Sequence, residues 1–123
     1  MTSGELGKTY EDGQIITRQG DEGNCMYVIQ SGQVEIVRET DGQEILLAVR
    51  GEGEVFGEMG VFERHVRMAT VRAKGPVRIL TVDRKGLMRR LQEDPSLAFR
   101  MIEMMSRRIR QLSEEVARLK GAL

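Results

Sequence analysis

The 123-residue chain has no tryptophan, one histidine, one cysteine and two prolines. A lone cysteine, Cys25, excludes an internal disulfide framework and any cysteine-rich zinc or iron–sulfur site. A reducing, cytoplasmic setting fits. A metal centre of the cupin type needs several histidines or a mixture of His and Glu, and His65 stands alone. No metal is therefore expected, and His65 reads as a solvent-exposed loop residue. No run of about eighteen apolar residues occurs, and Met1, Thr2, Ser3, Gly4 and Glu5 lack the basic and apolar regions of a signal peptide. Neither charge is in excess: 19 basic residues face 19 acidic ones, which excludes the overall positive field that draws a domain onto nucleic acid. The segment is expected neither to bind nucleic acid directly nor to engage a membrane.

What the chain does have is glycine. Of its fourteen glycines all but Gly121 lie between Gly4 and Gly86, and they punctuate short runs of β-branched residues. Ile15-Ile16, Tyr27 to Ile29, Val34 to Val37, Ile45 to Val49, Thr70-Val71 and Val77 to Val82 read as strands. Ser31-Gly32 and Asp41-Gly42 read as hairpin turns, because Gly and Asp tolerate the positive φ that such turns require. The fold class that follows is mainly β, an antiparallel roll of the jelly-roll kind. At this length one hydrophobic core is expected, burying roughly two-thirds of the unfolded surface.

After Asp83 the composition changes. Asp83 can cap a short helix through Leu91, and Asp94-Pro95 places a capping side chain and a first-turn proline ahead of a second helix reaching about Lys120. We therefore divide the chain into a roll with its short helix, 1–93, and a long C-terminal helix of the same domain, 94–123. Along that helix Ile102, Met105, Ile109, Leu112, Val116, Leu119 and Leu123 recur at alternating steps of three and four. With Ile102, Ile109 and Val116 at one core position and Met105, Leu112 and Leu119 at the other, the order suits a parallel two-stranded coiled coil, that is, a homodimer. In that register Glu115 of one chain faces Lys120 of the other. The same spacing also serves a helix covering its own core, and before about Met105 that use is expected. Beyond Ile109 a partner chain is expected, since the helix there runs about 20 Å past the roll.

The stretch from Phe56 to Val71 carries the chemistry. It offers a glycine that lets backbone approach a ligand, a run able to form one short helix, and then Arg67 entering a strand. A helix N-terminus presents N–H groups and a positive dipole end to a phosphate, and Arg67 adds a permanently charged donor fork. Glu58 can accept from sugar hydroxyls. Spacing alone also allows a surface turn with a Glu–Arg ion pair.

The stretch resembles the phosphate-binding cassette of cyclic-nucleotide-binding domains, whose pattern is approximately Phe-Gly-Glu-Leu-Ala-Leu, about four or five variable residues, Arg, a small residue, Ala, Ser or Thr, and Val. Asp12 to Ile16, Gln19 to Gly23 and Met26 to Val34 are similar to that family's glycine-spaced roll. Glu93-Asp94-Pro95 and Met105 to Ile109 are similar to the long helix of regulators of the catabolite activator protein type. The resemblance implies a β-roll with flanking helices, a ligand such as cyclic AMP, and a sensory role, without enzymatic activity, over an attached or partner effector such as a transcription regulator. It implies ligand contacts from Phe56, Gly57, Glu58, Met59, Arg67, Met68 and Ser113. Gly57 and Met59 would contribute main-chain groups, Glu58 would take the ribose 2′-hydroxyl and Arg67 the cyclic phosphate. Thr70 would point into the fold.

The long helix would cover the base near Leu112 and Ser113, of which only Ser113 has a hydroxyl. Met68 stands where the family has a small or hydroxyl residue, which favours cyclic AMP over cyclic GMP. The usual N-terminal helix is short or absent and no helix-turn-helix follows Leu123, as expected of an excised or stand-alone sensory domain. Two alternatives stay open: a ligand-free structural dimeriser of the same fold, and a haem- or redox-sensing relative, which would rest on Cys25 and His65.

Overall fold

The computed structural model describes residues 7–62 and 65–122, and of Met59 and His65 the backbone alone. The first residues of the chain, Glu63, Arg64 and the last seam residue, Leu123, lie outside the described residues. The described part divides between Arg84 and Lys85 into two compact units.

The first unit is antiparallel throughout. Its strands are β1 (Lys8–Tyr10), β2 (Ile15–Thr17), β3 (Glu22–Gly23), β4 (Cys25–Thr40), β5 (Gln43–Arg50), β6 (Val55–Phe56), β7 (His65–Val66) and β8 (Thr70–Asp83), with a one-turn helix α1 (Met59–Phe62) between β6 and β7. Strands β1, β8, β4 and β5 lie side by side, β2 joins β8, β6 joins β4, and β3 pairs with β7 apart from them. The two long strands, β4 and β8, pair from Cys25↔Asp83 to Val37↔Thr70. Each changes its outer partner midway: β4 passes from β6 to β5, and β8 from β2 to β1. A strand that changes partner along its length bends the sheet on itself, the geometry of a roll.

Two features differ from the sequence reading. Ser31-Gly32 is no hairpin turn but a bulged stretch inside β4, with register shifts on both sides of Ser31. Thr70-Val71 and Val77 to Val82 likewise belong to one strand, β8. Gly32 has φ +86°, and a methyl group there would overlap the carbonyl oxygen of Pro76. The glycine thus serves a close crossing of two strands rather than a reversal. The bulge also reverses the alternation of faces, which lets Ile29 before it and Val34 after it, five residues apart, both enter the core. Gly32→Ala is accordingly expected to cost about 1–3 kcal/mol of stability, read as a lowered melting temperature. An unchanged melting point would contradict this account of the bulge. Asp41-Gly42 does form the hairpin turn, with φ of 53° and 76°, and joins Thr40 to its partner Gln43.

The core is built from the inward residues of the long strands, Ile29, Val34, Val71, Ala73, Val77 and Ile79, with Tyr10 and Phe56 added from short ones. Burying each of these large side chains contributes about 1.5–3 kcal/mol.

The second unit holds α2 (Arg84–Glu93), most of which lies in it, and α3 (Pro95–Gly121). Asp94 caps α3 by accepting from Ser96 N at 3.2 Å, and Pro95 occupies the first turn, where its missing N–H is not needed. The Ser96 hydroxyl, with Arg100 at 3.2 Å, holds the Asp94 carboxyl below its ordinary range. Over its 27 residues the helix rises about 40 Å. Ile102, Ile109, Leu112, Val116 and Leu119 are exposed in the single chain, Ile102 at 68% and Leu112 at 64%, and Met105 is half-buried. Phe99 is exposed as well. Glu115, expected opposite a partner's Lys120, is paired within its own chain to Arg118 at 2.6 Å.

Candidate functional site

The cassette is fixed at both ends by the roll. Upstream, Gly53 N donates to Ile29 O at 2.8 Å and Ile29 N to Glu54 O at 2.9 Å, which delivers the chain into β6 beside β4. There Phe56 faces Tyr27 in register, and the two rings stack with centroids 4.9 Å apart at 17°. Phe56 is 3% exposed, so its ring belongs to the core and its main chain carries the cassette forward. Downstream, β7 pairs Val66 with Glu22 and His65 with Gly23. Arg67 N then donates to Asp21 O at 2.7 Å and Gly20 N to Arg67 O at 2.8 Å. The backbone of His65 is thus in a strand, not a loop, while its side chain lies outside the described residues.

Between these anchors Gly57 adopts φ +73°, a left-handed conformation that glycine alone takes without strain, and the chain turns into α1. The helix has four residues, so its dipole is small. The N–H groups of Gly60, Val61 and Phe62 are committed to the carbonyls of Gly57 and Glu58 at 3.0–3.3 Å. Glu58 is half-buried at this turn, and the side chain of Met59 lies outside the described residues.

Arg67 reaches back across the turn. Its Nη1 donates to Gly57 O at 3.0 Å and its Nη2 to Cys25 O at 2.8 Å, with Cys25 Sγ at 3.8 Å from the same nitrogen. The guanidinium lies over the Tyr27 ring, 5.5 Å from its centroid. Burial, reinforced by a hydrogen bond with Cys25, pushes the Tyr27 phenol up to about 12, so the surface beneath the arginine is a neutral ring. Neutral carbonyls orient the guanidinium without cancelling its charge. Among the described residues, at most three of its five N–H donors are engaged.

The structure brings Arg67 onto Gly57, the residue before Glu58. Met68 follows at 50% exposure. Thr70 Oγ1 accepts from Gln19 N at 3.0 Å, a bond inside the fold. Ser113 is an exposed residue of α3, in the other compact unit. Sequence reasoning missed Gly23, Cys25 and Tyr27, which converge on Arg67 from strands some forty residues upstream. The one available signal was the two-residue spacing of Cys25 and Tyr27, which places both on one face of a strand.

The family model of the cyclic nucleotide-binding domain matches residues 7–94. The chain belongs to this family. Among its relatives, a cyclic AMP receptor protein from Thermus thermophilus is 32% identical over 110 residues, covering 89% of this chain and 51% of that protein. A CRP-like cAMP-activated global transcriptional regulator from Mycobacterium tuberculosis is 30% identical over 108 residues, 87% of this chain and 48% of the relative. The crystal structure of the catabolite activator protein of Thermus thermophilus superposes with a TM-score of 0.81 at 30% identity, covering 96% of this chain and 57% of the other. The chain spans about half the length of these curated relatives. This cyclic nucleotide-binding domain thus has the antiparallel roll and a long C-terminal helix, the latter beyond the residues that the family model matches. None of its described helices is long and apolar enough to cross a membrane.

Proposed function

We propose that this cyclic nucleotide-binding domain is a cyclic AMP sensor that passes ligand binding through its C-terminal helix to an attached or partner effector, such as a transcription regulator. The observation that carries the reading is the state of Arg67. Its charge is held on one main-chain carbonyl of the cassette turn and one of β4, with donors to spare among the described contacts for phosphate oxygens. In this reading the cyclic phosphate binds Arg67 and main-chain groups of Gly57 and Met59, and Glu58 accepts from the ribose 2′-hydroxyl. Phe56 backs the turn from the core. The absence of a hydroxyl at Met68 favours adenine over guanine. Relatives named as cAMP-activated regulators support the choice, although an enzyme named Bd1971 that shares the domain has both cAMP-bound and cGMP-bound structures. Calorimetric titration with the two nucleotides tests it. Cyclic AMP is expected to bind more tightly, and an equal or reversed preference would overturn the assignment of the base.

The helical part, 94–123, acts in this reading as lid and dimerisation element, with Ser113 contacting the base. A ligand shifts an equilibrium only by its difference in affinity for the two states, so the base contact must form mainly in the liganded arrangement. Truncation after Arg108 leaves Glu58 and Arg67 in place. It is expected to weaken cyclic AMP binding by about 1–3 kcal/mol and to blunt discrimination against cyclic GMP. Unchanged affinity and preference in the truncated protein would reduce the helix to a dimerisation strut.

A further inference from the structure

The guanidinium of Arg67 sits in a cradle that the cassette alone does not make. Gly23 on β3, Gly57 after β6 and Gly60 on α1 surround it. A methyl group on Gly23 would overlap Arg67 Nε and Cζ outright, one on Gly57 would lie 2.6 Å from Nη1, and one on Gly60 would lie 3.2 Å from Nη1 and 2.9 Å from the Gly23 main chain. Gly23 and Gly60 have no left-handed backbone to explain them, so their smallness makes room. The floor is the Tyr27 ring, itself immobilised on Phe56. Cys25 O closes the remaining side at 2.8 Å.

We propose that Tyr27 and Gly23 are positioning residues for Arg67: the ring attracts the guanidinium and the bare glycine admits it, so that the arginine is already aimed when the anion arrives. The inference rests on the ligand reading above for its effect on affinity, but not for the cradle itself. An aromatic face attracts a guanidinium through its quadrupole, and a side chain already held in its binding conformation loses less entropy when it binds. Phenylalanine preserves the ring face and leucine does not. An alanine at position 23 expels the guanidinium even with the ring intact.

The test combines binding with a resonance that depends on no ligand. In the ligand-free full-length chain, the Arg67 Nε–H signal, assigned by its absence from Arg67→Gln, is expected to be displaced by the ring. Tyr27→Phe should keep the displacement, while Tyr27→Leu and Gly23→Ala should each return the signal to the ordinary arginine position. Tyr27→Leu and Gly23→Ala should also weaken cyclic AMP binding by about three- to tenfold, and Tyr27→Phe by less than about twofold. On an Arg67→Gln background, whose amide the ring does not attract, the Tyr27→Leu effect should shrink below about twofold, the non-additivity of residues acting through one another. Equal losses on both backgrounds, or a Tyr27→Phe loss as large as that of Tyr27→Leu, would overturn the proposal. A parent chain that binds no cyclic nucleotide would overturn the ligand reading instead. The resonance then decides the cradle by itself: a signal unmoved in Tyr27→Leu refutes it, and one that moves as described supports it.

Discussion

Arg67→Ala is expected to weaken cyclic AMP binding by about 2–4 kcal/mol, roughly 30- to 900-fold, with the β-roll still folded. The large effect follows from chemistry. The phosphate loses a charge-assisted partner and no described residue of the turn offers a second cation: Glu58 is acidic, Gly57 and Gly60 are bare, and Cys25 and Tyr27 are neutral contacts of the arginine itself. The folded state loses less. Two main-chain carbonyls give up a donor, at a cost of about 1–3 kcal/mol if water cannot replace it, while the core residues Ile29, Val34, Val77 and Ile79 are untouched. Calorimetric titration beside a thermal melt separates the two. Binding as tight as the parent's would refute the role of Arg67, and a collapsed melt would make the residue structural. Arg67→Lys should recover only part of the loss, since an ammonium keeps the charge but not the planar fork.

The second large effect concerns assembly. Leu112→Gln combined with Leu119→Gln is expected to turn a dimer into monomers at tens of micromolar, an order-of-magnitude concentration at which two-stranded coils of this length associate. Both leucines are more than half exposed in the single chain, in a row with Ile102, Ile109 and Val116. A sustained apolar row on a helix calls for a partner. Glutamine is a good helix former, so the substitutions remove the seam without penalising the helix, and the capped start at Asp94 is far away. Sedimentation velocity with far-ultraviolet circular dichroism reads both consequences. A parent chain that is monomeric under these conditions would defeat the dimer, as would a double variant that stays dimeric.

How much of this was legible in the sequence differs by feature. The apolar runs of the long strands, the Asp41-Gly42 hairpin and the Asp94-Pro95 start of the long helix each declare themselves within a few residues, because turn chemistry and capping are local. The continuity of β4 and β8 was not legible. A glycine at positive φ serves a bulge as readily as a turn, and only the pairing of β4 with β8 on both sides of Gly32 decides between them. β3 and β7, two residues each, are too short for any periodicity to register, yet they aim Arg67.

At the site, Gly57, Glu58 and Arg67 stand out only through their resemblance to a family cassette, since their spacing by itself is commonplace. Gly23, Cys25 and Tyr27 escaped for a different reason. Their relation to Arg67 spans about forty residues and exists only once β3 and β4 are laid beside the cassette. The apolar row of α3 was legible as a period.

The most direct test of the central claim is a structure of the full-length chain with cyclic AMP bound. The account predicts phosphate oxygens within hydrogen-bonding distance of the Arg67 guanidinium and the ribose 2′-hydroxyl on the Glu58 carboxylate. A nucleotide seated away from the Phe56 to Arg67 turn, or one bound there without contact to Arg67, would contradict it.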